Sequence, residues 1–219
     1  KIRIVKGSYL QGWLGSKEES TGENKQAEWR TDPKRSGAAG AVGDIGSHTM
    51  HLIEFLTGEK LKSVAADLST FVEGRLLDDD ASIMLRMSNK IKGNLSISQV
   101  ATGEENNFKI SIYGERGALH WHQENPNYAT LSKLGHANQI ITRGGSIQRE
   151  GSFSNTRIPA GHPEGYLEAF AQIYTDAADV ILNKKNKSEL LNILPDVNDG
   201  LHIMKFINAC VDSSLNNSK

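Results

Sequence analysis

Residues 81–87 read Ala-Ser-Ile-Met-Leu-Arg-Met, with Ile83, Leu85 and Met87 at alternate positions. This period of two is typical of a strand that buries one face. Further strands are predicted at residues 61–72, 91–100, 107–113, 118–122 and 129–134. The connections are short, as at Gly114-Glu115-Arg116-Gly117, and short turns favour antiparallel pairing. We therefore expect a meander that builds one large sheet.

The segment before this meander predicts one more strand and a helix. Residues 1–11 alternate as a half-buried strand that is interrupted at Gly7. A long polar loop is expected over residues 12–43, and a helix over residues 44–57. Gly58 stands where a left-handed C-terminal cap would end that helix.

The segment after the meander predicts a loop and two helices. An irregular loop is expected over residues 144–162, and Pro163 opens a helix, since proline is favoured in the first turn. Its expected buried face consists of Leu167, Phe170, Ile173, Tyr174, Ala177 and Ile181. A last helix is predicted from about Asp196 to Leu215. The whole pattern predicts a single α+β domain over residues 1–219, with a large, mostly antiparallel sheet and helices on one face.

Composition excludes several classes of partner. The 219 residues carry 25 Lys and Arg against 26 Asp and Glu, so no net field draws the protein to nucleic acid or to an anionic membrane. No apolar run approaches the roughly 20 residues that a membrane-spanning helix needs. The single cysteine, Cys210, is interpreted as a core residue of a protein from a reducing, cytoplasmic compartment. Because the sequence opens in strand-like alternation at Lys1-Ile2-Arg3-Ile4-Val5, we interpret it as part of a longer protein that has an upstream domain.

The motif Gly43-Asp44-Ile45-Gly46-Ser47-His48 carries the sharpest chemical signal. On a helix, Asp44 and His48 share one face, and a carboxylate beside an imidazole suits a general base near neutral pH. The structural alternative is that Asp44 caps the helix and His48 is an ordinary first-turn histidine. A third interpretation is that Asp44, His48 and His51 together bind a metal ion. Zinc sites usually recruit a further ligand from elsewhere in the chain, so we expect no metal.

Two other motifs lie next to predicted helices. The glycines of Gly37-Ala38-Ala39-Gly40-Ala41-Val42-Gly43 are spaced three and three, which is not the two-then-three spacing of a dinucleotide-binding fingerprint. The segment Gly161-His162-Pro163-Glu164-Gly165-Tyr166 places a histidine and a tyrosine where a helix begins. His162 and Tyr166 either reach a pocket or belong to an ordinary capped helix.

Taken in order, a series of segments resembles a known family. The series consists of Tyr9-Leu10-Gln11-Gly12-Trp13-Leu14, Trp29-Arg30-Thr31-Asp32-Pro33, Gly43-Asp44-Ile45-Gly46-Ser47-His48, Asp79-Asp80-Ala81-Ser82, Ser98-Gln99-Val100-Ala101, Tyr113-Gly114-Glu115-Arg116-Gly117-Ala118-Leu119 and Gly161-His162-Pro163-Glu164-Gly165-Tyr166. It is similar to the C-terminal domain of the glucose-fructose oxidoreductase/inositol dehydrogenase/rhizopine catabolism (Gfo/Idh/MocA) family. Each motif alone is modest, and their order over essentially the whole chain makes the resemblance specific.

The resemblance implies roles for particular residues. His48 would be the catalytic acid/base for a substrate hydroxyl, and Asp44 would bind the sugar and orient His48. Trp29 and Arg30 would approach the nicotinamide end of NAD or NADP. Substrate-binding candidates are Tyr9, Gln99, His162 and Tyr166.

The resemblance also implies an architecture. An N-terminal Rossmann domain, missing from this chain, would bind most of NAD or NADP and supply a catalytic lysine. The chain would then be a substrate-binding and oligomerisation domain of a sugar or polyol oxidoreductase, forming a homodimer or homotetramer through its sheet face. Without that lysine we expect the isolated chain to be inactive. Gly12 departs from the aspartate that many relatives carry there, and the alternative function is a non-catalytic carbohydrate-binding or scaffold module.

Overall fold

One eight-stranded sheet forms the body of the protein in the computed structural model, which describes residues 1–145, 155–184 and 187–218. Its strands are β1 (Ile2–Leu10), β2 (Leu61–Ser69), β3 (Asp80–Met87), β4 (Lys92–Ser98), β5 (Asn107–Gly114), β6 (Gly117–His122), β7 (Tyr128–Lys133) and β8 (Gln139–Thr142). They lie in the order β2-β3-β4-β1-β5-β6-β7-β8. Strands β1 and β4 are parallel, and every other neighbouring pair is antiparallel. The predicted α+β class with a mostly antiparallel sheet is confirmed.

Strand β1 lies in the middle of the sheet and is not interrupted at Gly7, contrary to the sequence prediction. A Cβ on Gly7 would lie 2.5 Å from Cγ2 of Thr49 and 2.9 Å from Cδ2 of Leu95. The glycine therefore allows a helix to approach the central strand closely, and it does not end the strand.

The helices of the described residues are α1 (Lys25–Arg30), α2 (Pro33–Ser36), α3 (Ser47–Thr57), α4 (Tyr166–Ile181), α5 (Lys187–Leu190) and α6 (Val197–Leu215). Helices α3 and α6 pack together on one face of the sheet and contribute Met50, Ile53, Phe206 and Cys210 to the main core. None of the helices in these residues has the length and apolarity to cross a membrane.

Helix α6 also protects an edge of the sheet. Strand β2 is an outer strand, and such strands expose unpaired backbone N–H groups. Here Ala66 N–H donates to Ser213 Oγ and Leu68 N–H to Ser214 Oγ, both at 3.0 Å. Two serine hydroxyls of the helix therefore accept the hydrogen bonds that a neighbouring strand would otherwise accept.

The helix that carries the Asp44 motif begins earlier than predicted. It starts at Ala41 and passes through a π-helical turn, Val42–Gly46, before it continues as α3. Its first N–H groups are capped by Asp78, whose carboxylate accepts from Gly40 N at 2.6 Å and from Val42 N at 2.8 Å. The capping role considered for Asp44 is therefore wrong, because Asp44 lies within the helix. Gly58 forms the predicted left-handed cap, with φ 68°.

The long loop predicted over residues 12–43 is partly ordered into a 3₁₀ turn at Glu18–Ser20 and helices α1 and α2. It is fastened by Arg75, whose side chain is 1% exposed. The Arg75 guanidinium donates to the carboxylates of Glu19 and Asp79 and to the carbonyl oxygens of Leu14 and Ser16. This arrangement, the Arg75 clamp, joins the loop after β1 to the loop before β3.

Helix α4 differs from its prediction in two ways. It begins at Tyr166 rather than at Pro163, and Glu168 caps its first turn by accepting from Gly165 N–H. Its expected buried face is largely exposed, since Leu167 is 76% and Ile181 is 81% exposed. The apolar spacing correctly indicated an amphipathic helix, but within the described residues most of its apolar side is left uncovered.

Strand β8 was not anticipated, and it ends just before the predicted loop at residues 144–162. Residues 146–154 of that loop lie outside the described residues. The last helix agrees with its prediction, with Asp196 as the N-cap of α6.

Candidate active site

The carboxylate of Asp44 is the centre of a polar cluster at one end of the sheet. Arg30 Nε donates to Asp44 Oδ2 at 2.9 Å, and Gln99 Nε2 donates to the same oxygen at 2.8 Å. The side chains of Asp44 and Arg30 are 22% and 23% exposed, so the ion pair lies at a surface and is partly shielded. The second oxygen, Oδ1, has no hydrogen-bond partner among the described residues.

Three separate segments bring this cluster together. Asp44 comes from the π turn before α3, Arg30 ends α1, and Gln99 follows β4. A π turn is wider than an α turn and often occurs at functional sites. On this turn, Asp44 accepts hydrogen bonds from side chains of the two other segments.

His48 lies one turn further along, on α3, and its side chain is exposed. Its ring has no hydrogen bond or ion pair in the part of the chain that the structure describes, and Asp44 and His48 are not hydrogen-bonded to each other. The described residues contain no group of His, Cys, Asp or Glu side chains able to hold a metal ion, so the set with His51 is not assembled. His48 is therefore an accessible imidazole four residues after Asp44.

Arg30 is held from several sides. Its guanidinium carbon lies 4.3 Å from the centroid of the Trp29 ring and 5.8 Å from that of Trp13, within the range of cation–π attraction. Gln26 Oε1 accepts from Arg30 Nη1 and, at 3.2 Å, from Trp29 Nε1. The two residues expected near a nicotinamide are thus brought together, and Trp13 and Gln26 fix them.

Tyr9 forms the floor next to this cluster. Its ring stacks on Phe108 with centroids 4.7 Å apart, and its hydroxyl donates to Asn106 Oδ1 at 2.7 Å. Gln11 Nε2 donates to the same Asn106 oxygen at 3.0 Å, and Gln11 Oε1 accepts from Trp13 Nε1. A buried aromatic pair, edged by the half-buried amide side chains of Gln11 and Asn106, therefore lies near Asp44 at the end of β1.

Electrostatics couples Tyr9 to Asp44. Burial raises the pKa of the Tyr9 phenol above its ordinary value of 10.0; a hydrogen bond with Gln123 opposes this shift, and the charge of Asp44 adds to it. The phenol therefore stays protonated at neutral pH and remains a hydrogen-bond donor to Asn106.

The other two substrate-binding candidates are not part of this cluster in the described contacts. His162 lines a pocket of about 380 Å³ beside Asn127 and Arg143. Arg143 holds the pocket wall by donating to His162 O at 2.6 Å and to Asn127 Oδ1 at 2.7 Å. Tyr166 is 76% exposed and packs on Phe170 at the start of α4.

Sequence reasoning missed Gln26, Asn106 and Gln123. Gln26 precedes Arg30 by four residues, a spacing that on a helix predicts contact. Asn106 and Gln123 come next to Tyr9 only through strand pairing, because Tyr9 lies opposite Phe108 in β1–β5. Nothing in the local sequence signals that contact.

Comparison with known proteins decides the family. A model of the GFO/IDH/MocA C-terminal domain matches residues 1–120 of this chain. The chain belongs to this family. The predicted Gfo/Idh/MocA resemblance is confirmed.

Relatives of this Gfo/Idh/MocA domain are oxidoreductases. An uncharacterized oxidoreductase of Bacillus subtilis is 29% identical over 221 residues, which cover 97% of this chain and 55% of the relative. The structure of an oxidoreductase from Sinorhizobium meliloti is 38% identical with a TM-score of 0.85, covering 100% of this chain and 56% of that one. An inositol dehydrogenase homolog from Azotobacter vinelandii, in complex with NADH and myo-inositol, is 26% identical with a TM-score of 0.87 and the same coverage. The chain thus spans about half the length of the relatives it matches.

Proposed function

We propose that this chain is the substrate-binding domain of an NAD(P)-dependent oxidoreductase that transfers hydride between nicotinamide and a sugar, polyol or related hydroxyl compound. The observation that carries the proposal is the Asp44 carboxylate. Two donors hold one oxygen, the other oxygen is left for a ligand, and an accessible imidazole lies on the next turn. The binding of NADH and myo-inositol by a relative supports the same chemistry.

In this proposal His48 exchanges a proton with the substrate hydroxyl. A carbinol carbon releases hydride more easily as its hydroxyl proton leaves, so a base within hydrogen-bond reach is required. Asp44 accepts a hydrogen bond through Oδ1 from a neighbouring hydroxyl of the substrate, and this contact orients the reacting hydroxyl toward the His48 ring. Nicotinamide, when bound, supplies the redox step.

The residues of this chain fit one end of a dinucleotide only. Trp29 offers a flat ring, and Arg30 Nη2 has no hydrogen-bond acceptor among the described residues. We propose that this pair contacts the nicotinamide end. The remainder of NAD or NADP would bind to an N-terminal Rossmann domain, because the glycine-rich run before α3 lacks the fingerprint spacing.

Further surfaces support a larger assembly. The exposed apolar side of α4 is a surface on which another domain could pack. The sheet face opposite α3 carries exposed Lys6, Ser82 and Met84, and we propose that it forms a homodimer or homotetramer interface. We also propose that the protein acts in the cytoplasm and that this chain alone is inactive.

Neutral amide side chains dominate the proposed substrate surface. Gln11 and Asn106 flank Tyr9, and the charge of Arg30 is balanced by Asp44. Such a surface suits a polyhydroxy compound, whose hydroxyl groups both donate and accept hydrogen bonds. His162 and Tyr166 are proposed as more distant substrate contacts.

The test is turnover by the full-length protein. Reduction of NAD and of NADP is followed with a panel of sugars and polyols, for the wild type, for Asp44→Asn and for the control Asp212→Asn, which changes an exposed aspartate on α6. We expect turnover by the wild type and the control and a loss of about 10²-fold or more in Asp44→Asn. Polyol binding without turnover in any variant would favour a non-catalytic carbohydrate-binding module.

A further inference from the structure

Gln99 lies behind Asp44 and not on the substrate surface. The residue is only 2% exposed, so a bound substrate has almost no Gln99 surface to contact. Its amide nitrogen nevertheless reaches Asp44 Oδ2 at 2.8 Å. Any influence of Gln99 on a ligand must therefore act through Asp44.

The backbone of Gln99 is fixed on both sides. Gln99 N–H donates to Asp79 O at 2.9 Å, and Gln99 C=O accepts from Leu14 N–H at 3.0 Å. Both partners belong to the Arg75 clamp, in which Arg75 Nη1 donates to Leu14 O and to the Asp79 carboxylate. The side-chain amide of Gln99 thus reaches the Asp44 carboxylate from a backbone that is hydrogen-bonded on both sides.

The two donors on Asp44 Oδ2 differ in burial. The Arg30 side chain is partly exposed and comes from the short helix α1. Gln99 is buried and approaches from the sheet end. With both donors present, Oδ2 is occupied and the carboxylate plane is fixed, and Oδ1 is the oxygen left without a donor among the described residues. With Arg30 alone, the carboxylate can rotate while it keeps one hydrogen bond.

We propose that Gln99 is a positioning residue that holds the Asp44 carboxylate in the orientation needed to accept a substrate hydroxyl at Oδ1. This inference rests on the proposed oxidoreductase function. It differs from the expectation that Gln99 contacts substrate directly. A neutral amide suits this role because it donates a hydrogen bond without adding charge beside the Arg30–Asp44 pair.

The test compares two substitutions in the full-length enzyme. Gln99→Met keeps the length of the side chain and removes the donor. Gln99→Glu keeps the shape, and the introduced carboxyl can donate only while it is protonated. The matched control is Gln172→Met on α4, which removes a similar amide–carboxylate bond of 2.7 Å to Asp176, far from Asp44 in sequence and outside its contacts.

We expect kcat/KM to fall about 10- to 100-fold in Gln99→Met, the effect of losing a hydrogen bond to a charged group, at all pH values tested. For Gln99→Glu, the activity relative to wild type should rise as pH is lowered, because protonation restores the donor. The Gln172→Met control should stay within about twofold of wild type. A pH-independent ratio for Gln99→Glu, or full activity of Gln99→Met, would overturn the positioning role.

A crystal structure of Gln99→Met provides a readout that needs no activity. We expect the Asp44 carboxylate to turn about its remaining hydrogen bond with Arg30, so that Oδ1 leaves the position that it has in the wild type. An unchanged carboxylate would contradict the inference even if the enzyme is inactive on every substrate. Failure of the proposed function would appear differently, as a wild-type protein without turnover.

Discussion

Replacement of Arg75 by methionine tests how the loop beside the active site is held. The side chains of Arg75 and Asp79 are each 1% exposed, and they approach to 3.1 Å. Arg75→Met leaves the Asp79 carboxylate buried, with only the backbone N–H groups of Phe71 and Val72 as donors. Breaking a buried ion pair from one side typically costs about 3–5 kcal/mol, so we expect the free energy of unfolding to fall by that amount. For a chain of this size, the melting temperature should fall by roughly 6–20 °C.

Urea denaturation followed by circular dichroism measures this loss, with a shifted midpoint and an unchanged slope. The control is Arg3→Met, since Arg3 lies 3.7 Å from Glu115 with side chains that are 63% and 44% exposed. Such surface pairs contribute about 1 kcal/mol or less. If Arg75→Met lowers the free energy of unfolding by less than about 1 kcal/mol, the Arg75 clamp does not stabilise the fold.

The pH dependence of the unfolding free energy tests the Arg75 ion pairs in a second way. Burial by itself raises the pKa of Glu19, but the hydrogen bonds and charge of Arg75 outweigh it and hold the pKa below its ordinary value of 4.5. A lowered carboxyl pKa contributes stability above the ordinary value, which is lost as pH falls through the lowered value. In Arg75→Met this acid-dependent part of the stability should shrink. An identical decline below pH 4.5 in both proteins would contradict the assignment.

Further predictions concern the helix start and the buried thiol. Gly40→Ala places a Cβ 2.1 Å from the Asp78 carbonyl oxygen, and we expect a loss of about 1–3 kcal/mol in urea denaturation. Its control, Gly200→Ala, meets nothing within 4 Å inside α6 and should raise stability by about 0.5–1 kcal/mol; equal effects would contradict the close-packing argument. Burial and then the charge of Asp78 raise the pKa of Cys210 to about 12, so an aromatic disulfide reagent at pH 8 should label it only after unfolding. Rapid labelling of the native protein would show that the thiol is accessible.

The sheet could be predicted because alternation is a local signal. Ile83, Leu85 and Met87 alternate in sequence and are all buried in the structure. The break predicted at Gly7 was wrong because the role of this glycine is not a local property. It allows the close approach of Thr49 and Leu95, which only the fold brings near.

The members of the polar cluster at the candidate site could be named in part from the sequence. Asp44, Arg30 and Gln99 were all named from the sequence, and hydrogen bonds join them. Which of them are exposed could not be predicted, because the burial of Gln99 depends on the folded chain around it. The apolar side of α4 could not be predicted to be exposed for the same reason. The spacing of its apolar residues predicts an amphipathic helix but does not reveal which part of the protein covers that side.

The substitution His48→Ala in the full-length protein decides whether His48 carries the proton transfer of a hydride-transfer enzyme. Because the His48 side chain is exposed, the substitution should leave the fold intact. With the best sugar or polyol substrate, we expect kcat to fall about 10²–10⁴-fold, the usual contribution of a general base. Added imidazole should partly restore it. A kcat that is unchanged by the substitution would show that His48 is not the general base and that another group takes the proton.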